Sequence, residues 1–440
     1  MMELKKKNTK KNVLVIIVAV IAAVMAFCAV LTLSGTVSFV EPTTTAAPTT
    51  EAPTTEPPPP HITSTATIRS AGDVLIHVPI YTAAKTAEGY NFDNVFTYTE
   101  SLIEDCDYFV ANLETTLAGT GKPYSGFPRF NSPDAIADAL KKAGVDCLLT
   151  ANNHTFDKNG EGVLRTQKVL KEKGITYTGT RETEEGRKFI IAKVNDINFG
   201  IICYTYETPS SEGRKSLNGL LVDTATAPLI NSFKPSDPSP FYDDLKEQMK
   251  KMKKKGADVI TVYLHWGEEY QLSPNKEQKA IAQKLCDMGV DVIIGGHPHV
   301  VQPVDLLTSE NGKHKTVCVY SMGNVLSNQR RAYMGLKSGH TEDGLTFEMT
   351  FSKYSDGKVV FESVKSIPTW VHVYSQGGKK VYNIVPLSKN MDNKAEKLGL
   401  NKTADGLSQA KASYERTMAL VKEGTDKCNK YLKAKDRVVN

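Results

Sequence analysis

Eight residues able to hold a divalent cation or move a proton fall where apolar runs of the sequence end. They are Asp73 after IRSAG, Asn112 and Glu114 after YFVA, Asn153 and His154 after CLLTAN, His265 after ITVYL, and His297 and His299 after VIIGG. If the runs are strands, this is where open α/β sheets place their sites, at the carboxyl ends. Imidazoles with carboxylates, and no clustered thiols, suit zinc, manganese or iron rather than an iron–sulfur or structural Cys–zinc site. The sharpest piece is Gly295-Gly296-His297-Pro298-His299. Its glycines let the backbone turn beside an ion, and histidines two apart in an extended stretch point to one side. A single histidine is usually a satisfied core or surface residue; so many at strand ends point to a site. A divalent cation held by such groups would activate a water, or polarise a phosphoryl, amide or ester oxygen.

Further residues around this set carry two readings each. Glu268 in His-Trp-Gly-Glu would orient a substrate amine or a ligand histidine, or form a solvent salt bridge. Trp266 would wall the ligand or fill the core. Asp157 in NNHTFD would pin its loop by hydrogen bonds or join the ions. Asn324, with Ser321 and Gly323 after KTVCVY, would support the structure or contact a ligand.

From Thr67 onward, short apolar runs alternate with helical patterns, as in an α/β domain. Expected strands are ATIRSAGDV, YFVANLE, CLLTANN, FIIAKV, FGIICYTY, DVITVYLHWG, DVIIGGHPH, KTVCVYSMGN and LTFEMTFS. Expected helices are PDAIADALKKAG, VLRTQKVLKEKG, FYDDLKEQMKKMKKKG and NKEQKAIAQKLCDMG, each stopping at a glycine. The chain contains neither a G-x-x-x-x-G-K-[ST] nor a G-x-G-x-x-G phosphate loop, which counts against nucleotide-triphosphate and dinucleotide chemistry.

The net charge of +5 is local. Lys5, Lys6, Lys7, Lys10 and Lys11 against Glu3 account for +4, leaving 49 basic and 48 acidic residues and no net-charge case for nucleic acid. The uncharged run within residues 13–35 is about the ~20 residues that cross a bilayer, and the lysines before it (residues 1–12) predict a cytoplasmic N-terminus. A cleaved signal peptide is the rival, but its apolar core is usually only ~7–15 residues. Residues 36–66 follow as a stalk: fourteen of the twenty residues from Glu41 to Pro60 are Thr or Pro, and extended at ~3.1 Å per residue such a stretch would hold a domain roughly 60 Å from the membrane. The single-pass anchor predicts a main domain outside the cell. The seven cysteines form no C-x-x-C pair and no disulfide framework.

The segments SAGDVLIH, ANLETTL, LLTANNHTFDKNGEG, YLHWGEEY, IIGGHPHVVQPV and VYSMGN, in this order, resemble the CapA family of poly-γ-glutamate capsule-synthesis proteins. The resemblance runs from about Thr67 to Gln329 and more weakly to about residue 375. The family's motif order is similar to that of calcineurin-like metallophosphatases. That resemblance implies an α/β, four-layer αββα sandwich over residues 67–375, followed by a helical or loose extension over 376–440. By position it implies that Asp73 and His299 hold one ion, that Asn153, His265 and His297 hold a second, and that Glu114 bridges them. His154 would protonate the leaving group. Metallophosphatases carry an aspartate at the bridge, where this chain has Glu114, and a histidine two residues after the first aspartate, where it has Leu75. His77, four residues on, is either a ligand or a neighbour of one.

Two functions follow from different classes. One is a metal-dependent hydrolase or transferase acting on a cell-envelope polymer, with poly-γ-glutamate implied by the resemblance. The other is a non-catalytic subunit that holds the polymer within a membrane synthesis and export complex. A general phosphoesterase ranks third, weakened by Glu114 and Leu75.

Overall fold

The computed structural model describes residues 59–210, 213–336 and 338–434. Residues 1–58, with the expected membrane segment and most of the stalk, lie outside the described residues. Among the described residues no helix is long and apolar enough to cross a membrane.

The alternation of apolar runs and helices builds a mixed α/β body. In chain order its main strands are β1 (Ile62–Val74), β2 (Tyr108–Leu113), β3 (Cys147–Leu149), β4 (Thr176–Thr178), β5 (Phe189–Val194), β6 (Ile197–Tyr206), β7 (Ser232–Phe233) and β8 (Val259–His265). They continue with β9 (Val292–Gly296), β10 (Val304–Thr308), β11 (Lys315–Val319), β12 (Asn324–Leu326), β13 (Asp343–Tyr354), β14 (Val359–Gln376) and β15 (Lys379–Pro386). One sheet runs β15-β14-β13-β1-β2-β3-β4, with β12 also paired to β1; the other runs β7-β6-β8-β9-β11-β10, with β5 paired to β6. The strands that end at the candidate residues are parallel: β1, β2 and β3 in the first sheet, β6, β8 and β9 in the second.

Parallel strands are buried on both faces, which is why the runs of β2, β3, β6, β8 and β9 read as largely apolar rather than alternating, while β1 carries Arg69 and Ser70 among its buried residues. Between the sheets lie Ile68, Val110, Cys147, Ile201, Tyr263, Ile294 and Phe347. On the outer face of the first sheet, helices α1 (Ala135–Ala143) and α2 (Asn159–Glu172) bury Ile136, Leu140, Val169 and Leu170. On the outer face of the second, α3 (Ser239–Lys254) and α4 (Lys276–Asp287) bury Leu245, Met252, Ile281 and Leu285. Helix α4 starts on a reciprocal capping box between Asn275 and Gln278, which satisfies two otherwise orphaned donors.

Past residue 375 the chain continues the body. The expected boundary falls inside β14, and β15 extends the same sheet. The 27-residue helix α5 (Gly406–Leu432) then packs Val421, Cys428 and Leu432 into the core between the sheets, beside Val304 of β10 and Val364 of β14. Two expected strands are shorter than their apolar texture suggests. CLLTANN is extended only to Leu149, and KTVCVYSMGN divides into β11 and β12, which belong to different sheets.

Candidate metal centre

Asp73 reaches the site because β1 loses its regular register there: both the β1–β2 and β1–β12 ladders shift at this point, as a bulge does when it re-aims a side chain. Gly72 makes this possible, since a Cβ there would lie 1.9 Å from the carbonyl oxygen of Gly323. A Cβ on Gly296 would stand 2.8 Å from Asp73 Oδ1, so that glycine keeps open the wall against which the carboxylate lies.

Strand β9 ends at Gly296, and the two histidines that follow are not extended as the sequence suggested. His297 has φ 96° and His299 φ 55°. For non-glycine residues this left-handed region is costly and clusters at functional sites. The turn brings both rings inward by a different route. His297 donates its backbone N–H to Asp73 Oδ2 at 3.2 Å, and its ring lies 4.9 Å from that of His265 and 5.8 Å from that of His299.

Five expected ligands converge. Glu114, His297 and His299 offer donor atoms within 4.8 Å of one another, and so do Asp73, Glu114 and His265. Glu114 belongs to both sets, as a bridging residue must. Asn153 joins them, its Oδ1 2.9 Å from His265 Nε2. His265 Nε2 is 3.3 Å from Glu114 Oε1, and His299 Nδ1 is 3.4 Å from Asp73 Oδ2.

A divalent cation fits this set by an independent test. Both carboxylate oxygens of Glu114, and Nδ1 of His297, are buried without a hydrogen-bond partner. Burying an ionised carboxylate costs several kcal/mol unless a charge or donors compensate it, and a cation between these groups would supply that compensation. Asp73 and His299 have opposite shifts. Burial pushes the Asp73 carboxyl up, but the hydrogen bond from His299 and the charges of His265 and His299 outweigh it and leave it below its ordinary value. Burial pulls His299 down, but Glu114 and Asp73 raise it to about 9. His297 is held well below the ordinary histidine value by burial and then by the neighbouring histidines, so it is neutral, the form a ligand needs.

Around these groups stands a supporting layer. Asn112 donates to Asp73 Oδ1 at 2.8 Å, and Asn152 donates to Asn112 Oδ1 at 3.2 Å. Asn324 Oδ1 lies 3.1 Å from His299 Nδ1, while its amide donates to Gln329 Oε1 at 2.8 Å and to the carbonyl of Thr341 at 3.1 Å. Accepting from Nδ1 leaves His299 Nε2 for a cation, the outer-layer logic that orients metal-bound imidazoles. His154 Nδ1 lies 2.8 Å from Asp157 Oδ2, which also accepts the backbone N–H of Phe130 at 2.6 Å. Asp157 thus both pins its loop and orients His154.

Three expected neighbours are not at the centre. Trp266 is fully buried in the core on the outer face of the second sheet, donating to the carbonyl of Tyr320 at 2.9 Å. Glu268 is exposed and accepts from Asn275 at 3.3 Å, because the chain turns away after His265. His77 belongs to neither donor set. It precedes a short helical turn (Val78–Ala83), accepts the Asn328 backbone N–H at 3.2 Å, and is depressed to about 4 by burial and then by the His299 charge. Leu75 is buried.

Sequence reasoning missed three contacts. Phe130 packs edge-on to His154 at 4.7 Å, Tyr206 lies 4.7 Å from His297, and Tyr270, itself at φ 65°, lies 6.2 Å from His299. Tyr206 ends strand β6 as the histidines end theirs, a positional signal hidden by attention to ligand types alone.

A two-sheet α/β body with a buried carboxylate–histidine cluster at its parallel strand ends is consistent with a metallophosphatase-like class of fold. Within that class the chain belongs to the bacterial capsule synthesis protein family PGA_cap, which matches residues 67–329. It is 29% identical over 273 residues to the capsule biosynthesis protein CapA of Bacillus anthracis, covering 60% of each chain. It is 28% identical over 252 residues to the PGA biosynthesis protein CapA of Bacillus subtilis, covering 56% of this chain and 60% of that one. A probable polyglutamine synthesis accessory protein of Mycobacterium tuberculosis is 24% identical over 213 residues, 46% of this chain and 52% of the relative. The matches to the two CapA proteins span 60% of each relative's length.

Proposed function

We propose that this chain is a metal-dependent hydrolase or transferase-like protein of capsule-polymer biosynthesis, acting on poly-γ-glutamate outside the cell from a single-pass membrane anchor. The observation that carries the reading is Glu114, whose two buried carboxylate oxygens have no hydrogen-bond partner at the point where Asp73, His265, His297 and His299 meet. The names of the relatives supply the polymer; the anchor rests on the apolar run 13–35 and the lysines before it.

Asp73, Glu114, Asn153, His265, His297 and His299 would hold two divalent ions, which supply Lewis acidity toward a carbonyl or phosphoryl oxygen and toward water. The protein's own part is acid–base work and positioning. Asp157 accepts from His154 Nδ1, leaving Nε2 to carry the proton to the leaving group. Phe130, edge-on to His154, limits how far that ring can swing. Zinc, manganese and iron all suit the donor set.

Metal analysis of the purified chain, paired with a poly-γ-glutamate chain-length assay, tests the proposal. Two equivalents of metal and shortening or transfer of the polymer are expected, with His154→Ala retaining the metal and losing turnover. A chain without metal, or a His154→Ala variant of full activity, sinks it.

A second reading, a polymer-holding subunit of a synthesis and export complex, is favoured by one observation. The position two residues after the first aspartate, where metallophosphatases carry a histidine, holds buried Leu75, and His77 is engaged with Asn328. That reading expects His154→Ala to keep its biological activity.

A further inference from the structure

The loop from Lys122 to Asn131 is locked from within. Asn131 donates to the carbonyls of Gly119 (3.1 Å), Lys122 (3.0 Å) and Pro123 (3.2 Å); Ser125 and Asn131 pair through their backbones; and Ser125 Oγ donates to the carbonyl of Arg129 at 2.6 Å. Its inner residue, Phe130, packs on His154 and is tied through its N–H to Asp157. Arg129 immediately precedes Phe130, and Lys158 immediately follows Asp157, so the two cations flank one clamp beside the expected general acid. On the same loop Phe127 is 73% exposed.

Arg129 and Lys158 differ from the third cation nearby, Lys122, in having no ion-pair partner among the described residues. Lys122 pairs with Glu161 at 2.7 Å and also donates to the carbonyl of Lys158 at 3.4 Å. Among the described residues no hydrogen bond or ion pair engages the Arg129 guanidinium or the Lys158 ammonium. Burial holds Lys158 below the ordinary lysine value, and the charges of Arg129 and Lys122 add to this against that of Asp157. Two cations without an ion-pair partner, one on the braced loop and one at the start of α2, gain from an anion placed between them.

We propose that Arg129 and Lys158 form a carboxylate-reading pair that seats a side-chain carboxylate of a γ-linked acidic polymer beside His154. The inference rests on the polymer reading above and adds the residues that would make it selective for an anionic chain. Arg129 offers a planar fork for one carboxylate, and Lys158 a point charge that tolerates the next. Both act as positioning and selectivity residues.

The test is binding of fluorescein-labelled poly-γ-glutamate to the full chain, measured by anisotropy at low and at raised salt, with an uncharged esterified polymer as control. Arg129→Gln with Lys158→Gln should weaken binding on the order of tenfold at low salt and flatten its salt dependence. The esterified polymer should bind the wild type weakly and should not distinguish the variant. Metal content should be unchanged, which separates this effect from damage to the centre. Wild type and variant binding poly-γ-glutamate alike would overturn the inference while leaving the polymer reading intact. A wild type that binds none would remove both. Loss of binding to anionic lipid vesicles, with polymer binding retained, would assign the pair to a membrane surface and overturn the proposal.

Discussion

Glu114→Gln is the perturbation that separates a metal centre from a cluster of buried polar groups. The substitution keeps the shape and one acceptor oxygen but removes the charge. In the wild type both oxygens are buried without a hydrogen-bond partner, with His265 Nε2 at 3.3 Å and His299 Nε2 at 3.9 Å as neighbouring ring nitrogens. Without metal this carboxylate is a burden of several kcal/mol, relieved only in part by those rings. With metal at about 1,000 times its Kd, the wild type gains about 4 kcal/mol. On a body of this size that corresponds to a Tm rise of roughly 4–8 °C. Loss of an outer-layer partner costs about 10–100-fold in metal affinity, so loss of the bridging charge should cost at least about 100-fold. The gain then falls to about 1.4 kcal/mol at the same metal concentration. The expected signature is a crossing: after chelation Glu114→Gln melts at or above the wild type, and in excess manganese or zinc it melts below. Differential scanning calorimetry with and without chelator measures both arms. A chelated variant that melts well below the chelated wild type, or an equal metal-induced rise in both, would refute the reasoning.

Asp157→Asn weakens the contact that orients His154, so turnover on the polymer should fall by about 10²–10⁴-fold with metal content unchanged; an unaltered rate would remove His154 from the reaction. His372 tests pH behaviour away from the metal centre. It is buried with Nδ1 unpartnered, stacks on Trp370, and is held at about 4 by burial and then by the Arg330 charge, against Asp405. Because its folded pKa lies below the unfolded value of 6.5, the unfolded chain binds more protons between the two. Stability is therefore full above about pH 6.5 and falls toward pH 4, by about 3 kcal/mol in all at about 1.4 kcal/mol per unit. Urea unfolding of His372→Gln should show a shallower acid limb, and an unchanged slope would show that other groups carry it. On α5, a Cβ at Gly424 would stand 1.7 Å from the carbonyl oxygen of Val304. Gly424→Val should therefore lower stability by at least about 1–3 kcal/mol in urea titration; wild-type stability would contradict the close seating of α5 on β10.

The parts of this protein legible in its sequence are those where local pattern and tertiary role agree. The buried parallel strands β2, β6, β8 and β9 are largely apolar and, with the more polar β1, end on or beside residues that meet at the centre, so elements and ligand candidates could be read together. Legibility fails where a long-range contact decides. β14 and β15 carry mixed polar texture, VVFESVKSIPTWVHVYSQ and KKVYNIVP, and are strands because β13 offers an edge for them to extend. Helix α5 looks like a polar tail, yet its Val421, Cys428 and Leu432 reach the core between the sheets. Trp266 sits one residue after a ligand, but strand alternation sends it to the opposite face, so adjacency in sequence meant separation in space.

The GGHPH turn shows why the site could be located but not drawn from sequence. Extended geometry would also have placed both histidines on one side, so two residues that converge were picked out by a different route from the one the chain takes. The observed route holds His297 and His299 at positive φ, a conformation that the surrounding contacts must enforce. Those contacts are specific: Asp73 Oδ2 accepts the His297 N–H, Asn324 holds His299 through both its ring and its carbonyl, and Gly323 lies against the backbone at Val300 and Val301. Asn324 is in turn fixed by Thr341, two residues before Asp343, which pairs with Arg416 of α5 at 2.7 Å. A strained ligand turn is thus braced by residues on β12, β13 and the C-terminal helix, the last two outside the 67–329 match to the family. The C-terminal segment therefore braces the centre: removing α5 should loosen His299 even though, among the described residues, neither donor set includes a residue of that helix.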